Sequence, residues 1–180
     1  MEKIALKWEF LGFLVSFGIG SMLHFVYEWS GNWLPVAIFG AVNESTWEHL
    51  KMAFWPMVLW LLIEAALIKK KHVDVRNFMI AKALGIYITP VTTSLLFYTY
   101  IALGQSMNLA SGIGLFAMGL LAGFMASAAI MSAPRWSKPV NIIGVVLLGV
   151  ATCCFSTMTY FPPQFFLFQD PLSGLYGILP

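Results

Sequence analysis

The chain reads as long apolar runs separated by short polar breaks. A helix needs about 20 apolar residues to cross a bilayer core. Five segments reach that length: residues 9–29, 46–68, 77–103, 110–132 and 139–160. Residues 30–45 interrupt the pattern and enclose a short apolar piece, Leu34 to Val42. Residues 161–180 are apolar too, but Pro162, Pro163, Pro171 and Gly174 break them. Neither stretch is long enough to span. Each is expected to be interfacial or re-entrant, where irregular backbone must be buried in protein or line a wet cavity. The pattern predicts an all-α, polytopic bundle of five membrane helices, forming a single integral-membrane domain over residues 1–180. Lys3 and Lys7 precede the first run as they would in a signal peptide. That run is too long for a signal core and no small-x-small site follows it, so it is expected to be retained.

Basic residues set the orientation. With the N-terminus inside, Lys3, Lys7, Lys69, Lys70, Lys71, Arg76, Lys82, Arg135 and Lys138 lie on the inner side, and only Lys51 lies outside. This asymmetry predicts an N-in, C-out multi-pass protein of a plasma membrane. Trp8 and Trp136 then fall at the inner interface. Trp29, Trp33, Trp47, Tyr100, Tyr160 and Tyr176 fall at the outer one, as aromatic belts require.

Composition excludes the other classes. Apolar residues make up 59% and charged residues 10% of the 180, with a mean hydropathy of +0.81. A soluble domain carries roughly 25% charged residues. A soluble enzyme, a disordered chain and a coiled coil are all ruled out. The net charge is +2, with no basic tract beyond Lys69–Lys71, so no nucleic-acid partner is expected. The neighbouring cysteines, Cys153 and Cys154, offer no disulfide framework and are expected to be buried packing groups.

Some packing is legible. Gly12, Ser16 and Gly20, and likewise Gly119, Gly123 and Ser127, recur every four residues, which lets helix backbones approach closely. Pro56 and Pro90 fall inside helices, where each removes a backbone hydrogen bond. Glu64 and Lys82 lie at similar depth near the inner side and are expected to pair, with a proton relay as the lesser reading. No internal repeat supports an inverted-repeat transporter.

The orientation gathers chemistry on the outer side. Glu28, Glu44, Glu48 and Asp170 fall there, with His24 and His49. His24 lies about 7 Å and His49 about 5 Å inside their helix ends, from the 1.5 Å rise per residue. His24 and Glu28 are one turn apart. They continue the Gly12–Ser16–Gly20 stripe, which should face into the bundle. Ionisable groups at such depth are costly and usually functional. Ser45 followed by Glu48 fits a capping box. Asn43 is a second cap, a turn residue or a hydrogen-bonding member of the site. Trp47 is expected at the interface, and Lys51 reaches the headgroups or pairs with Glu48.

The run Asn43-Glu44-Ser45-x-Trp47-Glu48-His49-Leu50-Lys51 resembles the signature of an uncharacterised bacterial multi-pass membrane-protein family of unknown function. His24-Phe25-x-Tyr27-Glu28, Asp170-Pro171 and Tyr176-Gly177 are similar to further parts of that pattern. The resemblance covers nearly the whole chain. It implies no activity, only that these polar segments belong together.

Imidazoles and carboxylates at one depth suit a divalent metal: zinc takes His and Asp or Glu, usually three plus a water when catalytic. Manganese or iron accept the same set. His24, Glu28, Glu44, His49 and Asp170 are the candidate ligands, and Glu28 or Glu44 the candidate acid or base for hydrolysing a membrane-associated substrate. Asn43, Trp47 and Glu48 are supporting or structural residues. No recognised metal motif is present. The alternative is a transport component that binds a cation or small solute, with Thr92, Thr93, Ser94, Thr152, Ser156 and Thr157 lining an outward pocket. Haem held by the two histidines is disfavoured by the nearby carboxylates. The remaining reading is structural, with the acids and histidines pairing and capping helices. Expected partners are the bilayer, a small solute or lipid ligand, and a second copy of the chain. The tail is expected to fold back and bring Asp170 beside Glu28 and His49.

Overall fold

The computed structural model describes residues 2–179, with side chains from Ala5 onward, so the expected inner Lys3 side chain lies outside what it describes. Five helices form: α1 Glu2–Trp29, α2 Thr46–Lys71, α3 Phe78–Ala102, α4 Leu109–Ser132 and α5 Lys138–Thr157. All five are long and apolar enough to cross a membrane. Among the described residues there is no strand, only an isolated antiparallel bridge between Gln169 and Tyr176. Three helix ends differ from the sequence expectation by three residues or more. α1 starts at Glu2, because Lys, Ala, Leu and Glu ahead of Phe10 are good helix formers. α2 runs on through Lys69–Lys71, whose charges suit a helix C-terminus. There His72 turns left-handed at φ 51° and its N–H donates to the Ile68 and Lys69 carbonyls. α5 stops at Thr157, three residues early.

α3 packs most extensively on α4, α1 lies against α2 and α4, and α5 lies against α3. The core gathers Phe54, Met57, Trp60, Ile86, Leu120, Phe124 and Phe155. The outward faces are apolar instead of polar, with Leu62, Val91, Leu95, Val146 and Val150 all more than half exposed. That inversion of the soluble pattern fits hydrocarbon as the surrounding solvent.

The small-residue stripes lie at the closest helix approaches. A Cβ on Gly123 would stand 2.5 Å from the Gly85 carbonyl oxygen, and one on Gly85 2.7 Å from that of Gly123. Glycine is therefore required on both sides of the α3–α4 contact. On α1, Ser16 is fully buried, and a Cβ on Gly20 would stand 2.8 Å from the Met52 carbonyl oxygen. Pro56 has no N–H to offer that carbonyl four residues back. Gly20 closes on the backbone that Pro56 leaves open. Three of the six hydroxyls expected to line a pocket, Thr93, Thr152 and Thr157, each donate to the carbonyl one turn back, at 2.8–2.9 Å. Cys153 is exposed and Cys154 half-buried, so they are not the buried packing groups expected.

The two ends of the bundle are built differently. At the α2–α3 loop end, Asn77 ties loops together: its amide donates to the Ile130 and Pro134 carbonyls, both at 3.0 Å, and its oxygen accepts from Trp136 N at 2.8 Å. Asp74 and Arg135 pair there in the open at 2.5 Å, and the guanidinium holds the Asp74 carboxyl below its usual range. At the α1–α2 loop end, residues 30–45 carry a short 3-10 helix, Leu34–Ile38. Trp55 Nε1 donates to Ile38 O at 2.7 Å and the Tyr160 hydroxyl to Leu34 O at 2.6 Å. Loop and tail thus cover the same end.

Candidate metal centre

The start of α2 organises this end. Ser45 is the N-cap and its Oγ accepts from Glu48 N at 3.4 Å. Only half of the expected capping box forms, because Ser45 N donates to Asn43 Oδ1 at 2.8 Å. The Glu48 carboxylate turns inward instead. It pairs with Lys51 Nζ at 2.5 Å and accepts from Thr159 Oγ1 at 2.8 Å and Val42 N at 3.2 Å. Lys51 is fully buried and also donates to Ala37 O at 2.6 Å and Thr159 Oγ1 at 2.9 Å. Every donor and acceptor in this network has a partner, as a buried ion pair demands. Lys51 does not reach toward headgroups.

One turn nearer the surface the geometry changes. His49 Nδ1 lies 2.9 Å from the Ser45 carbonyl oxygen. A carbonyl only accepts, so Nδ1 carries a proton, and in the neutral ring Nε2 then keeps its lone pair. That lone pair faces Glu44 Oε2 at 3.5 Å. From the other side, His24 Nε2 faces Glu44 Oε1 at 3.7 Å. The imidazole centroids are 5.4 Å apart. One ligand atom from each residue lies within 4.8 Å of the other two. The His49 and Glu44 atoms are too far apart for a good hydrogen bond, and with the ring neutral both are acceptors. Zinc bonds of about 2.0–2.1 Å in a tetrahedron set donor atoms about 3.4 Å apart. The two observed gaps, each to a different oxygen of Glu44, are close to that edge, and a single atom from each residue keeps the set within 4.8 Å. The three side chains are 30%, 46% and 37% exposed, in chain order, so the group opens on one side. His49 is held in its tautomer by a backbone carbonyl, as metal-ligating histidines commonly are. His24 Nδ1 is buried without a partner among the described residues.

The loop decides which acids join. Ala41 N donates to Leu23 O at 3.1 Å, and Gly40 packs against Tyr27. The loop thus crosses α1 ahead of Glu28 and delivers Glu44 over His24. Glu28 is exposed in the last turn of α1 and lies outside the ligand group, although it shares a helix face with His24. Asp170 also stands outside, and for a different reason. It is buried, and its oxygens accept from Glu44 N at 3.1 Å, Ser173 N at 2.8 Å and Ser173 Oγ at 2.6 Å. Burial alone would raise this carboxyl, but the bonds from Ser173 and from the Glu44 and Leu172 amides hold it below the usual carboxylate range. Asp170 positions the Glu44 backbone and has no lone pair free for an ion. The five-residue ligand set of the sequence reading therefore contracts to His24, Glu44 and His49.

The supporting residues lock tail to loop. Asn43 Nδ2 donates to Gly177 O at 2.7 Å. Trp47 is not an interface anchor: its ring stacks on Phe155 at 4.5 Å and on Phe168 of the tail at 4.6 Å. Two contributions escaped the sequence reading. Ser45, read only as a cap, also pins His49 through its carbonyl, a contact its four-residue spacing could have suggested. Thr159 completes the Glu48–Lys51 network, and no local pattern marks it.

Fold and site together define a five-helix bundle of membrane character with a His/Glu/His group at one end. The chain belongs to the family of unknown function DUF6512, which it matches over residues 1–178. Comparison with curated proteins and with solved structures finds no match.

Proposed function

We propose that this is a bacterial plasma-membrane protein, N-terminus inside, that holds a divalent metal between His24, Glu44 and His49 at its outer face and hydrolyses a membrane-associated substrate there. One observation carries the reading. Two imidazole nitrogens face the two oxygens of a single carboxylate, at 3.7 and 3.5 Å, and with its Nδ1 on a carbonyl the neutral His49 ring would turn its Nε2 lone pair toward a carboxylate lone pair. A cation between them removes the repulsion. The basic residues gathered on the opposite side support the orientation. Five long apolar helices support the membrane setting.

The exposed side of the group leaves room for a fourth ligand, the arrangement of catalytic zinc sites. Bound metal would supply an acidified water at neutral pH. Glu44 serves as ligand. Glu28, exposed one turn beyond His24, is the carboxylate free to take and return a proton. Exposed Phe25, Trp29 and Trp33 nearby suit a substrate lying in the interface.

Elemental analysis of the purified protein tests this, wild type against His24→Ala and His49→Ala. Near-stoichiometric zinc, manganese or iron, lost in both variants, supports the site. Folded wild type free of metal after growth in supplemented medium overturns it. Metal without lipid hydrolysis, but with cation or solute flux in liposomes, would move the site to transport.

A further inference from the structure

A second group of ionisable side chains lies at the opposite end of the bundle. Lys82 of α3 pairs with both Glu9 of α1 and Glu64 of α2. All three are buried, at 4%, 1% and 4% exposure. The pairing expected for Glu64 and Lys82 thus has a third member. Lys82 donates to Glu9 Oε1, while Glu9 Oε2 is buried without a hydrogen-bond partner among the described residues, as is Glu64 Oε2 apart from its ion pair with Lys82. Beside Glu9, the Ser127 hydroxyl of α4 is also buried and unpartnered.

The charges do not balance. Two carboxylates around one ammonium leave one negative charge when all three are ionised. Among the described residues no second cation is buried beside it, and Lys7 stands only in the wall of the cleft at Glu9. α4 has no ionisable residue along its length, and Lys7 of α1 and Lys138 of α5 are exposed at the surface. Lys71 is exposed at the end of α2, and with Asp74 and Arg76 it rims a cleft that reaches Glu64 from the loop end. An uncompensated charge in such an interior is strongly unfavourable, and taking up a proton is the usual relief.

We propose that Glu9, Glu64 and Lys82 form a proton-binding centre, with an exchangeable proton on Glu9 while Glu64 and Lys82 stay ionised. With that proton Glu9 Oε2 becomes a donor, and the Ser127 hydroxyl beside it is an available acceptor. A cleft of about 420 Å³ between α1 and α4, walled by Phe10, Phe13, Leu121 and Phe124, has Glu9 in its lining. It brings the carboxyl within reach of apolar reagents from the lipid side. The cleft at Glu64 gives the proton a path to the aqueous loop end. This centre is independent of the metal reading.

Dicyclohexylcarbodiimide tests it on the full-length protein in lipid nanodiscs near neutral pH. The reagent consumes only a protonated carboxyl in apolar surroundings. The acid proton moves to a carbodiimide nitrogen, the carboxyl oxygen bonds the central carbon, and the adduct rearranges to a stable N-acylurea. Peptide mapping is expected to find the adduct on Glu9, fading as pH rises. Glu64→Gln removes the excess charge, so the Glu9 adduct should fall roughly tenfold, as for one unit of proton affinity. Infrared spectra of the wild type should contain a protonated-carboxyl band that Glu9→Gln removes. Absence of that band overturns the proposal even if the reagent does not penetrate. So does an adduct on Glu64 in place of Glu9, or a Glu9 adduct indifferent to Glu64→Gln.

Discussion

Two pairs of ionisable residues sit within eight positions of one another at the start of α2, and they have opposite characters. Glu48 and Lys51 are buried, 2.5 Å apart, and every polar atom has a partner. Glu44 and His49 are half-exposed and 3.5 Å apart, beyond a good hydrogen bond, across a gap that His24 also faces. The first arrangement is complete and leaves a ligand nothing to bind. The second is pre-oriented and incomplete, which is what a binding site requires. A rich set of acids and histidines therefore separates by satisfaction. The closed network sets where the loop, tail and α2 meet, and the open group uses that framework to hold its geometry.

Breaking the closed network should have the largest effect. Lys51→Met leaves the Glu48 carboxylate buried and unpaired, which typically costs about 3–5 kcal/mol. Thermal unfolding in detergent should fall steeply, and an unchanged melting profile would remove Lys51 from the framework. Asp170→Asn comes next. It weakens charge-assisted bonds worth about 1.5–3 kcal/mol, and hydrogen exchange should quicken over residues 166–177. Acid should mimic it, with a defined sign. The folded carboxyl of Asp170 is held low, so its contribution is present above the unfolded value of about 3.9. It is lost as pH falls through the folded value. Tail protection should hold from neutrality down to about pH 4 and drop below that.

Asn43→Ala should cost about 1 kcal/mol, the usual worth of a hydrogen bond, by freeing Gly177 from the loop. Proteolysis of the tail would report it, and a tail no more sensitive than wild type would count against the clamp. The smallest stability effect belongs to the open group. Glu44→Ala and His49→Ala should each stay within about 0.5 kcal/mol of wild type without added metal. In metal-loaded protein the same variants should lose the stabilisation that bound ion confers. A large loss without metal would place both residues in the framework and erase the contrast.

Much of this was legible in the sequence, for physical reasons. Apolar run length is read directly against bilayer thickness, so five membrane-type helices followed from composition and spacing. Small residues every four positions marked the α1 and α4 faces, because backbone contact leaves no room for a Cβ. The nine-residue segment from Asn43 to Lys51 marked the polar end. What local pattern could not supply was direction. His24 and Glu28 share a helix face, yet only His24 joins the group, because the loop crosses α1 at Leu23 and Tyr27. Glu48 looked like half of a capping box, but Lys51 and Thr159 draw it inward, the latter more than a hundred residues away. Asp170 comes to this end as expected, but spends its oxygens on amides and a hydroxyl. Glu9 joins Lys82 across three helices with no sequence signal at all. Solvent preference and backbone sterics act residue by residue and are written in the chain. Whether a polar atom finds a partner depends on which distant segments pack against it, and only the tertiary fold decides that.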